Sequence, residues 1–463
     1  MRHTLRRSCA ACARSKHSCD LSTPRCSRCI KRKVQCVYVN EPLTAAPAAS
    51  GESGISGPLV SYRFSSVDPF ESYPPTRLPR EHVQRLIHSF LHKIAFQYYP
   101  LDLNATTNPF LVSWWPIALG DPALFHVSLQ TACLDEELMA QRGFYTSELL
   151  MADSVALLRR KVEDTSLALQ DGTMNSVITL ATIEFGKGNT KVAEMHVNGV
   201  KRLVDLRGGI NAVRQTSPLT ARMVSWVSML IMGHPQFETQ DDAGIGHGIP
   251  PIPEWQLNSP AVQDPPELGG LGIDEEVRNV FIRLRNVFQA AERIPFTSTQ
   301  LHDLTCFVIH RLLRLARGTK THPSPFTEFV CDATILYMFI IQGPTYFSHG
   351  VIFNKILNRL TEHLQQWDLT QHTYDPIDIW FCAVGMVAST GTPHYQWYRE
   401  RAEAVATLLH LSTWEHVFIR IKGVLWLETQ QGEDVFRPHW GAILSFETPG
   451  FLGIEDVYAT KHH

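Results

Sequence analysis

Six cysteines fall within the first forty residues, Cys9, Cys12, Cys19, Cys26, Cys29 and Cys36, spaced as C-x2-C-x6-C, then six residues, then C-x2-C-x6-C again. A C-x2-C pair can set two thiolates on one metal across a tight turn, and the third cysteine of each half returns after a short helical turn. Zinc takes four ligands in a tetrahedron, so two separate sites would need more sulfur than six side chains supply. The ligands suffice only if two sulfurs bridge both metals, which predicts a binuclear cluster holding two Zn²⁺ per chain. Six thiolates against two Zn²⁺ leave a formal charge of about −2, tolerable only beside positive charge.

The surroundings supply that charge. Residues 1–40 hold ten Lys or Arg against one acid, Asp20, a net of +9; since the whole chain carries −3, residues 41–463 carry −12. A basic head on an acidic body is the asymmetry expected when one end meets nucleic acid. Disulfides would also use an even number of cysteines, but they need an oxidising compartment. The opening MRHTLRRSCAAC has no apolar h-region that would direct it there. The other four cysteines, Cys133, Cys306, Cys331 and Cys382, stand singly in apolar helix-like segments and read as buried thiols.

The cysteine spacing, together with the basic residues between the cysteines, resembles the Zn₂Cys₆ family of fungal transcription regulators. The resemblance implies that Cys9 and Cys26, the first cysteine of each half, are the bridging ligands. It also implies a short helix in each half, with the end of the first one entering the major groove of DNA. Lys16 then takes the position that contacts the guanines of a CGG-like triplet, a base whose major-groove edge offers two acceptors. Ala13 and Ser18 stand where the family is usually basic, a departure that Arg14 and His17 offset. Arg28, Lys31, Arg32 and Lys33 read as phosphate contacts, which position a protein without carrying sequence information, and the run can double as a nuclear import signal. Pro24 fixes φ in the link between the halves.

From Glu41 to about Gly57 the chain is nearly all small residues, Pro, Ser and Gly, a composition too poor in apolar surface to fold. The expected domains are therefore a DNA-binding module at 1–40, a flexible linker at 41–60 spanning about 25 Å, and a body at 61–463. No heptad pattern follows the cluster between Val37 and Pro79, so any homodimer contact falls to the C-terminal region.

The body reads as all-α. Apolar residues recur at three and four positions through 80–99, 145–163, 191–206, 219–232, 275–291, 300–317, 352–367 and 413–427. Gly208-Gly209 and Gly318 mark helix ends. A second resemblance covers 60–220: Asp68-Pro69-Phe70, Tyr73-Pro74, Asn108-Pro109-Phe110, Trp114, Asp121-Pro122-Ala123-Leu124-Phe125, and His196 with Gly199 leading to Leu206-Arg207-Gly208-Gly209. In that order these motifs are similar to the fungal-specific transcription factor domain, which implies a regulatory body contacting effectors, transcription machinery or co-regulators. The glycine-rich stretch between His234 and Gly272 lacks a phosphate-loop pattern and reads as a surface loop. His302 and His310 read as structural. Ala333–Ile341 is apolar but too short to span a bilayer, so it reads as a core helix and no membrane partner is expected.

The chain carries no nucleophile elbow, Walker loop, zincin helix or dinucleotide fingerprint, so no catalytic or further cofactor-binding residue is expected. The function this supports is a nuclear, sequence-specific regulator of RNA polymerase II genes, controlling a metabolic pathway and binding duplex DNA. An enzyme borne on a zinc head and an interaction protein that has lost strong DNA binding are the competing classes.

Overall fold

Nearly every regular element is a helix, because the apolar residues of this chain repeat with helical period and almost never with strand period. The computed structural model describes residues 10–19, 26–36, 73–98, 105–141, 143–257, 271–316, 324–371 and 377–444. The chain divides into two units, Met1–Arg77 and Leu78–His463. Among the described residues the one β feature is an isolated bridge between Thr239 and Ile249.

In the first unit, the helices α1 (Ala10–Arg14) and α2 (Ser27–Lys31) pack around sulfur. Cys12, Cys26, Cys29 and Cys36 are its buried core, with Ala11 and Cys19 partly buried against them. The expected linker at 41–60 lies outside the described residues.

The second unit realises the periodic segments closely: Arg80–Ser89, Tyr145–Glu163, Thr190–Leu206, Pro218–Met232, Glu275–Ala291, Ser298–Leu315, Gly350–Gln371 and Trp414–Val424 are helices. Gly208 and Gly209, at φ +91° and +96°, end one helix and admit the next, because positive φ is free of steric cost only without a Cβ. Gly318 lies outside the described residues.

Other helices have no amphipathic stripe. Pro122–Met139 is buried continuously from Ala123 to Leu134, and Asp171–Gly186 from Gly172 to Glu184. A helix enclosed on every side shows no polar face. Several of their hydroxyls bond along the helix itself: Ser128, Thr131, Ser176 and Thr179 each donate to the carbonyl four residues back at 2.6–2.8 Å. Asp171–Gly186 packs on Pro122–Met139, Thr190–Leu206 and Pro218–Met232. Further along, Pro325–Gln342 and Asp378–Ala388 form the second set of central helices, the latter covered by His394–Leu408, Trp414–Val424 and Gln430–Leu444.

The motifs shared with the second resemblance are caps and core aromatics. Asn108 is fully buried, accepting from Phe110 N at 2.9 Å and donating to Ala95 O at 3.0 Å. The Trp114 indole donates to Ser128 Oγ at 2.8 Å. Asp121 caps the following helix by accepting from Ala123 N and Leu124 N, and its second oxygen takes the Lys161 ammonium. Asp68-Pro69-Phe70 lies outside the described residues.

The stretch read as a surface loop is partly buried among its described residues. Ile245 is 72% exposed, whereas Ile249, Ile252 and Trp255 are buried and the Trp255 indole donates to Asp242 at 3.1 Å. Sequence composition misplaces Trp255, because glycine and proline around it signal turns without saying which side faces inward.

Asp303 joins elements distant in sequence. Arg214 and Arg222 each bind its carboxylate with two hydrogen bonds of 2.7–3.1 Å. Burial alone would raise its pKa, but these hydrogen bonds hold it at about 2. Removing one partner of such a buried group costs about 3–5 kcal/mol.

Two tests follow from this packing. A Cβ on Gly385 would strike the ring of the buried Tyr398, so Gly385→Ala should destabilise the body by about 1–3 kcal/mol, read as a lower thermal midpoint; no change would disprove that close approach. Desolvation lowers His302, His310 and His349 to about 4 from the ordinary 6.5. For His302 the nearby Asp303 opposes this, while Arg222 and Arg214 reinforce it. The unfolded imidazoles take protons first, so the stability they allow is complete above pH 6.5 and is lost as pH falls toward 4. Thermal melts across that window should fall steadily, and a flat midpoint would contradict the buried neutral state.

Candidate metal centre and nucleic-acid interface

The Sγ atoms of Cys12, Cys26 and Cys29 lie within 4.8 Å of one another, all buried. The halves therefore meet at sulfur, Cys12 from the first and Cys26 and Cys29 from the second. Cys12 Sγ and Cys26 Sγ are 3.7 Å apart, far beyond the roughly 2.05 Å of a disulfide. Two sulfurs on a tetrahedral zinc, each about 2.3 Å from the metal, stand about 3.8 Å apart. The spacing thus fits a shared metal.

Backbone amides add to the fit. Cys29 N donates to Cys26 Sγ at 3.4 Å and Cys26 N donates to Cys36 Sγ at 3.3 Å. Such bonds favour the thiolate and orient it. Cys26 caps α2 through the first of them. Cys36 is buried and Cys19 half-buried, both at the same core. Cys9 lies outside the described residues.

The basic residues lie outward. Arg14, Lys16, His17, Arg28, Lys31, Arg32 and Lys33 are exposed. Lys16 follows α1 with φ +51°, and His17 N donates to Cys12 O at 3.0 Å. This is a helix end closed by a left-handed residue, a position that glycine usually fills. The ring of His17 is held against Ser15 O, at 2.5 Å from Nδ1. Arg32 reaches across to Ser15, donating from Nη1 to Oγ at 3.4 Å, and Ser15 Oγ donates to Ala11 O at 2.8 Å. Ser15 is thus a tie between the halves that spacing and charge gave no reason to single out.

The body offers no comparable concentration of ligands among the described residues. The His302 and His310 imidazoles are buried, with His310 Nδ1 on Cys306 O at 2.7 Å. Cys133, Cys306, Cys331 and Cys382 are at most 3% exposed, and burial is the first cause raising all four thiols, that of Cys133 and Cys306 to about 12. They are inert core thiols, as expected. A cleft of about 290 Å³ lined by Leu134, Phe185, Val227, Leu230 and Tyr346 is mainly apolar, and the Tyr346 hydroxyl at its edge already donates to Thr131 O at 3.1 Å. No helix among the described residues is long and apolar enough to cross a membrane.

Residues 7–45 match the family model of the fungal Zn(2)-Cys(6) binuclear cluster domain, and residues 85–233 match that of the fungal specific transcription factor domain. Both are domains of transcription factors and neither is an enzyme family. The first domain binds two zinc ions. No curated protein and no solved structure shows significant similarity to the chain.

Thiol chemistry tests the centre on the full chain. Chelation should release two zinc ions per chain and expose the six thiols of the head to a thiol reagent, while the four buried thiols of the body stay protected until it unfolds. Head thiols that react equally fast before chelation would contradict metal ligation.

Proposed function

The chain is a fungal DNA-binding transcription regulator that joins a Zn(2)-Cys(6) binuclear cluster domain to a fungal specific transcription factor domain, and from that premise we propose how it reads DNA. Cys9, Cys12, Cys19, Cys26, Cys29 and Cys36 would hold the two zinc ions, which would supply the fixed core around which α1 and α2 are set. Lys16, at the end of α1, reaches the guanines of a CGG-like triplet in the major groove. Arg14 and His17 flank it, and Arg28, Lys31, Arg32 and Lys33 of the second half also contact the DNA, the first three at phosphates. The linker at 41–60 tethers this head to a body at 61–463 that regulates it or recruits co-regulators, with any homodimer contact in the body. The protein works in the nucleus on genes of one metabolic pathway.

One observation supports this reading most. Lys16 is exposed and adopts a left-handed backbone that disfavours any side chain, just beyond a helix pinned through the buried Cys12. A lysine there is worse for folding than glycine by about 1 kcal/mol. What lysine adds is a cation projecting from a rigid end, which suits the O6 and N7 acceptors of guanine.

Lys16→Gly separates folding from recognition. The variant should keep two zinc ions and bind DNA with reduced sequence preference, losing about tenfold in discrimination at the triplet. Undiminished preference would remove Lys16 from the reading role. With about four to six phosphates neutralised, log K should fall against log[salt] with a slope of about −4 to −5. A flat salt response would favour an interaction protein that does not bind DNA.

A further inference from the structure

The two halves of the cluster unit repeat in backbone as well as in sequence. Lys16 lies four residues after Cys12, and Lys33 four residues after Cys29, each of those cysteines 2% exposed. Their φ angles are +51° and +50°. His17 N donates to Cys12 O at 3.0 Å and Val34 N to Cys29 O at 3.1 Å; two residues earlier, Ser15 N donates to Ala11 O at 3.2 Å and Arg32 N to Arg28 O at 3.0 Å. Only four non-glycine residues have positive φ among the described residues, and these lysines are two of them.

We infer that Lys33 is a second base-reading residue, so that the cluster unit carries two ends able to enter a major groove of duplex DNA. This rests on Lys16 being the reader of the first end. Charge alone groups Lys33 with Arg28, Lys31 and Arg32 as a phosphate contact. Its backbone sets it apart, because a phosphate contact has no need of a rigid left-handed position that glycine fits better.

The second end also differs in chemistry from the first. Ile30 is 60% exposed and Val34 39% exposed, where the first half has Ala13 and His17. An exposed apolar pair beside a lysine matches a guanine next to a thymine, whose C5-methyl group offers an apolar contact in the major groove. Lys31 and Arg32, also exposed, would position this end on the backbone. The two ends thus have different preferences, the first for guanine alone and the second for guanine beside thymine.

The test is selection from randomised duplex DNA by the full-length, zinc-loaded protein, comparing wild type, Lys16→Gly, Lys33→Gly and the double variant at fixed salt, with zinc content as the check on folding. Glycine suits the left-handed position, and Lys33→Asn, which also tolerates it, serves as a second variant. Lys16→Gly should retain an enriched motif of guanine beside thymine, and Lys33→Gly should lose that motif, with about tenfold less discrimination, while keeping the Lys16-dependent one. The double variant should bind without preference.

Lys33→Gly that weakens all sequences equally, or changes nothing, overturns the inference, the first result marking a phosphate contact. Loss of every preference on Lys16→Gly alone also overturns it and leaves the Lys16 reading standing. Preference that survives Lys16→Gly undiminished and vanishes on Lys33→Gly removes Lys16 as a reader and so overturns the two-ended unit as well.

Discussion

Sulfur–metal ligation is the interaction on which the head depends. Its buried core among the described residues is four cysteines, and its two helices are five residues each. Helices of that length do not persist in water by propensity, and about forty residues cannot enclose an adequate apolar core. The free energy of zinc binding is therefore most of the folding free energy of this unit. The 3.7 Å between Cys12 and Cys26 is the geometric sign of it, and the outward orientation of the basic residues follows from the sulfurs facing inward.

The body is organised by a different force. Its central helices are buried all round, and most hydrogen bonds of their Ser and Thr residues run back along the same helix, so burial rather than ionic pairing drives assembly. The Asp303 carboxylate, held by Arg214 and Arg222, ties together segments distant in sequence. Head and body thus answer to separate perturbations: the first to chelators and thiol oxidation, the second to core truncation and acid.

Sequence made the metal site and the amphipathic helices legible because both are periodic. Six cysteines at repeated spacing specify ligands, and stripes such as Val83, Leu86, Ile87 and Phe90 specify a buried face. Apart from Ala333–Ile341, whose apolar run marks a core helix, helices without a stripe escaped for the complementary reason. Asp171–Gly186 is enclosed on every side, and His394–Leu408 and Gln430–Leu444 carry mixed faces. Trp255 escaped because its surroundings signal turns. The left-handed backbone at Lys16 and Lys33 escaped because lysine is the wrong residue from which to expect it; the repeated cysteine spacing implied two similar halves, and the φ angles and hydrogen bonds show that their ends are alike. Cys9 and the 41–60 linker lie outside the described residues.

X-ray absorption at the zinc edge, on the full-length protein, addresses sulfur ligation most directly. A binuclear thiolate cluster gives a first shell of four sulfurs per zinc at about 2.3 Å, together with scattering from the second metal. Nitrogen or oxygen in that shell, or no metal–metal scattering, would contradict it.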